Sequence, residues 1–352
     1  MGTMERILRL MADKRASDVY LSAHAPAMIK INGQTLPINN QLLPPDAPRA
    51  LLAEVLPAHR MEELDATGEL NMAHAVEGAG NYRFSAMRQR GTIAAVVRYI
   101  ASEIPALSTL QVPMILADLI LEKRGLLLMV GATGSGKSTT LAAMINYRNE
   151  SSSDHIITIE DPIEFLHSNK KSIINQREVG LDTKSYARAL KSAMRAAPDM
   201  LLIGEIRDRE TMESAIMLAG TGHLVLATLH ANNAAETLDR CINMFPLDQH
   251  TQIFLDLSQY LRAILSQRLI IAKDGKRLAA VEVMLNTPYI TELVKKGDVS
   301  AIKEAIVASS ERGVQSFDVA LLNLYKQNRI DLEEALANAD SRSNLEAKIN
   351  FG

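Results

Sequence analysis

Gly131, Gly134, Gly136, Lys137 and Ser138 stand at the spacing of a phosphate-binding loop, in the run Gly131-Ala132-Thr133-Gly134-Ser135-Gly136-Lys137-Ser138. Glycine at those positions removes side chains, so backbone N–H groups can close around phosphate oxygens. Lys137 can reach the β- and γ-phosphates of a nucleoside triphosphate, and the Ser138 hydroxyl can ligate Mg²⁺. Thr133 and Ser135 fall in the same run and Thr139 directly follows it, and all three count among the nucleotide-binding residues. The chemistry predicted is binding and hydrolysis of ATP.

Hydrolysis needs a metal, an oriented water and positive charge against the transition state. Acidic residues follow two apolar stretches: Glu160-Asp161-Pro162-Ile163-Glu164 after Ile159, and Glu205 after residues 200–204. Glu205 occupies the position of a Walker B acid and could hold Mg²⁺, directly or through water. Glu164 could orient or deprotonate the attacking water. His223 and His230 bracket the run Leu224-Val225-Leu226-Ala227-Thr228-Leu229, with His230 where a γ-phosphate sensor would sit. Arg195 and Arg207 flank the Walker B segment, and Arg83, Arg88, Arg90 and Arg98 lie far upstream. An arginine supplied by a neighbouring subunit raises turnover by roughly 10³–10⁵ in related chemistry.

These groups must be positioned by a parallel sheet. The apolar run Leu126-Leu127-Leu128-Met129-Val130 reads as a strand, and the residues after Lys137 read as a helix, the order a P-loop requires. Strands at 155–159, 200–204 and 224–229 alternate with helices at 186–196, 210–219 and 235–245. Nearly continuous apolar strands imply a mostly parallel sheet covered on both faces. In such sheets ligands bind at the carboxyl ends of the strands, which would bring the acids to Lys137 and Ser138. Ile253, Leu257, Leu261, Ile264 and Leu265 share a helical face, predicting one long helix over 253–269. Two short strands are expected around Gly275, and helices from Tyr289 onward.

Residues 4–100 read as a smaller α+β domain: a helix at 4–14, strands through 17–31, an Asn32-Gly33 hairpin turn, a proline-punctuated helix at 44–64, and strands at 71–75, 82–88 and 93–100. Met4 reads as the natural start. A linker is expected over 101–112 and the ATPase domain over 113–352, with a helical appendage from about 289.

Composition narrows the function further. At 352 residues the chain accommodates two domains, and its 47% hydrophobic and 22% charged content is ordinary for a globular protein. A formal net charge of −3, no Trp and only 4% aromatics argue against a nucleic-acid partner, which needs phosphate-facing charge and stacking platforms. The single cysteine, Cys241, rules out an intrachain disulfide and a multi-cysteine zinc site. The apolar zone at 114–130 is broken by Asp118, Glu122, Lys123 and Arg124, so no transmembrane segment is expected.

Taken together, these residues resemble the PilT/PilU family of type IV pilus retraction ATPases, within the secretion-ATPase superfamily. The resemblance covers nearly the whole chain. It rests on residues 131–138 (Walker A), 160–164 (an acidic box), 198–208 (Walker B region) and 221–230 (His box), with Asn175-Gln176-Arg177-Glu178-Val179 and residues 83–98. It implies a PAS-like N-terminal domain, a RecA-like ATPase domain and a homohexameric ring with ATP and Mg²⁺ between the domains at a subunit boundary. By matching positions, Glu164 resembles the catalytic carboxylate, Glu205 the Walker B glutamate, and His223 with His230 the His-box pair. Arg83 and Arg98 match the inter-domain arginines.

Two departures refine the expectation. Tyr289-Ile290-Thr291-Glu292-Leu293-Val294 stands where PilT carries its Ala-Ile-Arg-Asn-Leu-Ile retraction motif. The tail from Gly313 to Ile349 and Gln89-Arg90-Gly91 look more like PilU. The implied role is an accessory motor working with a PilT-like ATPase and a PilC-like platform protein, at the cytoplasmic face of the inner membrane. The alternative is an ATP-binding accessory ring that hydrolyses little. The four-cysteine zinc element usual in pilus-extension and type II secretion ATPases is impossible with one cysteine.

Overall fold

The computed structural model describes residues 2–31, 33–76, 80–100 and 103–351. The chain forms two units: Met1–Glu103 with Glu164–Leu166, and Ile104–Ile163 with His167–Gly352. Asn32 of the expected hairpin turn, Ala101 of the expected linker and Gly352 lie outside the described residues.

The first unit runs α1 (Thr3–Asp13), β1 (Asp18–Leu21), β2 (Pro26–Ile31), β3 (Gln34–Leu42), α2 (Ala47–Ala53), α3 (Ala58–Thr67), β4 (Glu69–Val76), β5 (Gly80–Gln89) and β6 (Thr92–Ile100). Its strands form one six-stranded antiparallel sheet in the order β3-β2-β1-β6-β5-β4. Alternation along the strands sends Val19, Tyr82, Phe84 and Val97 into a core shared with Leu8 and Met11 of α1, Leu52 of α2 and Leu64 of α3. The buried Tyr82 hydroxyl donates to the Leu8 carbonyl at 2.6 Å. Arg83 and Arg98 alternate to the opposite face, directly across from each other in the β5–β6 register. This is the PAS-like α+β domain.

The second unit runs α4 (Ile115–Ile120), β7 (Gly125–Val130), α5 (Lys137–Ser151), β8 (His155–Glu160), β9 (Ile173–Glu178), α6 (Tyr186–Ala193), β10 (Met200–Ile203), α7 (Arg209–Gly220), β11 (Leu224–Leu229), α8 (Ala234–Asn243), α9 (His250–Tyr260), β12 (Leu261–Ile271) and β13 (Arg277–Leu285). Five helices follow: α10 (Pro288–Lys296), α11 (Val299–Ala308), α12 (Phe317–Lys326), α13 (Leu332–Ala337) and α14 (Arg342–Phe351). The seven-stranded sheet has the order β13-β12-β7-β11-β10-β8-β9, parallel except for β13. Along β7, Leu126, Leu128 and Val130 enter one core with α6 to α11, while Leu127 and Met129 enter another with α4 and α5. Helices on both faces explain why the strand carries no polar residue. This is the RecA-like domain.

One expectation is corrected. Residues 253–269 are not a single helix: α9 ends at Tyr260, and Leu261 turns extended (φ −62, ψ 136) into β12. Ala263 and Leu265 face one core and Ile264 the other, the alternation of a strand buried on both sides. No glycine or proline separates the two elements, and apolar residues continue at helix-compatible spacing across the boundary, which hid the change of period. The strands around Gly275 are correspondingly long, and Gly275 (φ 78) sits in their turn. A third cluster packs Phe317, Leu321 and Leu345 of the tail helices on Ile270 and Ala280 of these strands.

Candidate active site

The loop between β7 and α5 is shaped by what glycine allows. A Cβ on Gly131 (φ 150) would lie 2.4 Å from the Gln267 carbonyl oxygen, and one on Gly136 (φ 82) would lie 2.9 Å from the Gln267 side-chain nitrogen. Gly136 is also the residue before the first turn of α5, and no side chain caps that turn. By contrast α6, α7 and α8 start at Ser185, Asp208 and Asn233, whose side chains accept a first-turn N–H. The first-turn donors of α5, with the positive end of its dipole, therefore suit an anion. The Ser135 hydroxyl is buried without a hydrogen-bond partner, as fits a cradle whose phosphate supplies the acceptor. Lys137 Nζ donates to the carbonyls of Gly131 (2.5 Å) and Ala132 (2.9 Å). Thr133 and Gly134 are exposed at the tip, and Ser138 and Thr139 are half-buried in the first turn.

Parallel pairing brings the next groups to the same edge. Val130 of β7 is level with Leu229 of β11, and Ile203 of β10 with Ala227 of β11. Past those strand ends, Glu205 is clamped: one carboxylate oxygen lies 3.0 Å from His230 Nε2, and the other accepts from Arg207 at 2.6 Å. Arg207 also reaches Asp161 at 3.3 Å. The hydrogen bond with Glu205 holds the Arg207 guanidinium even more firmly charged than usual. Tyr186 packs beneath this cluster, its phenol pushed up by burial first and by Asp161 second. Glu160 accepts from Thr158 Oγ1 (2.6 Å) and Gln176 Nε2 (3.2 Å). At the start of α8, the buried Glu282 carboxylate accepts from the Ala234 N–H (2.8 Å) and Ser266 hydroxyl (3.2 Å), and burial raises its pKa.

The second unit thus brings together the P-loop edge, Glu205, Arg207, Asp161 and His230. It does not bring Arg195 or His223 there: both precede their strands, β10 and β11, and lie at the amino edge of the sheet. His223 Nδ1 instead faces the Leu218 carbonyl at 3.1 Å. Glu164 is exposed, in the short segment that groups with the first unit. In the first unit, Arg98 Nε donates to the buried Asp18 at 2.8 Å while its side chain stays 66% exposed. The donor set suits Mg²⁺ through the Ser138 hydroxyl and the Glu205 carboxylate. Among the described residues no group of three or more His, Cys, Asp or Glu converges as a metal cage.

His167 carries a pH prediction. Burial first, and the Lys170 charge second, lower its pKa to about 4. Its backbone N–H donates to Gln176 Oε1 at 2.7 Å. A histidine with an unfolded pKa near 6.5 then binds more protons unfolded than folded, so stability falls as pH drops from about 6.5 toward 4. Linkage gives a loss of about 2 kcal/mol by pH 5. His167→Gln is expected to flatten the fall in melting temperature between pH 7.5 and pH 5. An identical fall in the variant assigns the pH dependence to other groups.

The residue that sequence reasoning missed is Gln267. It is 1% exposed, donates from Nε2 to the Ser135 carbonyl (2.8 Å) and accepts from the Thr140 hydroxyl (2.8 Å). The polar pair Ser266-Gln267, directly after the apolar Ala263-Ile264-Leu265 and before Leu269-Ile270, was the available signal.

A glycine-lined anion cradle at the carboxyl edge of a parallel sheet, with a clamped carboxylate two strands away, defines a P-loop ATPase of RecA-like architecture. The family model for Type II/IV secretion system proteins matches residues 67–316. The Type IV pilus ATPase PilU of Pseudomonas aeruginosa is 48% identical over 99% of this chain and 91% of its own. The Type IV pilus retraction ATPase PilT of the same organism is 38% identical over 96% of this chain and 98% of its own. A crystal structure of the pilus retraction motor PilT with bound ADP superposes with a TM-score of 0.91 at 39% identity, covering 98% of this chain and 99% of that one. The chain belongs to the PilT/PilU family of type IV pilus retraction ATPases, among the Type II/IV secretion system proteins. Among the described residues no helix is long and apolar enough to cross a membrane.

Proposed function

We propose that the protein is a Mg²⁺-dependent, homohexameric ATP-hydrolysing motor that powers type IV pilus retraction as a PilU-like accessory to a PilT-like ATPase. It acts at the cytoplasmic face of the inner membrane against a PilC-like platform protein. The observation that carries this reading is the cradle itself: the uncapped first turn of α5, Lys137, and the buried, unpartnered Ser135 hydroxyl. Backbone N–H groups and Lys137 bind the β- and γ-phosphates. Ser138 would help hold a Mg²⁺ ion, which would supply charge neutralisation at the phosphates. Glu205 would hold that metal, directly or through water, His230 senses the γ-phosphate end, and Arg207 holds Glu205 and Asp161 in place through its ion pairs. Glu164 orients or deprotonates the attacking water. A purified-protein assay of phosphate release, with and without Mg²⁺ and with and without the PilT-like partner, tests the proposal. No release under any condition defeats it.

A second reading, an ATP-binding ring with little hydrolysis of its own, draws on two observations. Both Glu205 oxygens are engaged within the chain, and α10 carries Tyr289 and Glu292 exposed where the retraction motif would stand. Release only in the presence of the partner would favour it.

The ring reading makes its own prediction. Arg83 and Arg98 are proposed to act across a subunit boundary on a neighbour's nucleotide. Mixing inactive Arg98→Ala protein with inactive Glu164→Gln protein is then expected to restore part of the activity, because some boundaries combine an intact arginine with an intact carboxylate. The Asp18 contact ties Arg98, so the same mixture is to be made with Arg83→Ala. Full activity of both arginine variants alone would sink the trans assignment.

A further inference from the structure

Gln267 touches the phosphate loop in three ways. Its backbone carbonyl fills the space a Gly131 side chain would need, its amide nitrogen holds the Ser135 carbonyl, and its amide oxygen is held by Thr140 one turn into α5. The Thr140 hydroxyl is a donor to that oxygen, and the Ser135 carbonyl can only accept. The side-chain amide therefore has one favourable orientation, nitrogen toward Ser135. A trans peptide points its carbonyl and its N–H in opposite directions. Holding the Ser135 carbonyl against Gln267 consequently turns the N–H of the next residue, Gly136, away from β12 and into the loop.

We propose that Gln267 is a positioning residue for nucleotide binding: by fixing the plane of the Ser135–Gly136 peptide it aims the Gly136 N–H at the bound phosphate. The assignment rests on reading the loop as the nucleotide site. It gives β12 a part in phosphate recognition beyond completing the sheet. The group is buried and preorganised, so the peptide pays no reorientation when the anion arrives.

Gln267→Glu keeps the shape but sets a carboxylate oxygen against the Ser135 carbonyl, which turns the peptide. Gln267→Met removes both bonds and leaves the peptide untethered. Thr140→Val removes only the contact that orients the amide. ADP binding by the purified full chain is expected to weaken most in Gln267→Glu, by about 10-fold or more, the scale of one lost hydrogen bond to a charged group. Gln267→Met is expected to fall between Gln267→Glu and wild type, and Thr140→Val to weaken binding least. Losing buried hydrogen bonds lowers the melting temperature without nucleotide in each variant, and the further rise produced by ADP shrinks in the same order as affinity. ADP affinity equal to wild type in a folded Gln267→Glu or Gln267→Met overturns the proposal. So does a drop in nucleotide-free melting temperature with affinity unchanged, which is the mark of a packing role. If neither Gln267 variant folds, unchanged ADP affinity in Thr140→Val overturns it. Lys137→Ala is the control: ADP binding lost there but intact in Gln267→Glu defeats this inference alone, whereas binding intact in Lys137→Ala removes the nucleotide-site reading as well.

Discussion

Lys137→Ala is expected to lower ATP hydrolysis by roughly 10²-fold or more, the scale for losing a preorganised charge at the transition state. No other lysine or arginine lies in the loop, so nothing local replaces its charge. The fold should survive, because the side chain is only half-buried and no hydrophobic core includes it. Steady-state phosphate release and binding of a fluorescent ATP analogue check the two halves of the expectation. Unchanged hydrolysis in a folded variant would remove the P-loop assignment.

Glu205→Gln is expected to separate binding from chemistry. The amide keeps the size of the side chain but cannot balance Arg207 and His230, which now lie at 2.6 and 3.0 Å from the carboxylate. ATP should still bind, since the cradle is built from β7, α5 and β12. Hydrolysis should fall by roughly 10²-fold or more, the range for a lost metal-orienting or general-base group. Arg207 would retain Asp161 alone, so the damage reaches the acidic segment after β8 too. Glu164→Gln provides the comparison. If it hydrolyses normally, water activation belongs to Glu160 or Asp161. Wild-type turnover in Glu205→Gln would show that the Walker B position carries no chemistry.

What the sequence made legible is what local spacing determines. A loop that binds phosphate through its backbone needs glycine at set offsets between a strand and a helix, and Gly131, Gly134 and Gly136 announce it. The alternation of apolar strands with helices likewise predicts a parallel sheet and the edge at which Glu205 and His230 emerge. Partnerships made through strand order were not legible. Arg207 bridges Glu205 and Asp161 only because β8 lies beside β10. Gln267 and Ser135 are 132 positions apart and meet only because β12 lies beside β7. The error over 253–269 concealed that neighbour: a strand buried on both faces has no polar stripe, so its apolar positions also satisfy a helical period. Arg195 and His223 illustrate the opposite limit. They stand near functional segments in sequence, but a strand separates each from the carboxyl edge.

Lys137, hydrogen-bonded to the Gly131 and Ala132 carbonyls, makes the loop its own competitor for the cation. An incoming anion would have to replace two internal acceptors, so its affinity would be a difference between two sets of bonds. Charge-assisted bonds to phosphate are stronger than bonds to neutral carbonyls, and the exchange favours a ligand long enough to reach the lysine. A single phosphate resting on the first turn of α5 leaves that exchange unmade. On the phosphate-site reading, discrimination by chain length is the expected result: a polyphosphate that reaches Lys137 should bind more tightly than a single phosphate, before any base or sugar is read.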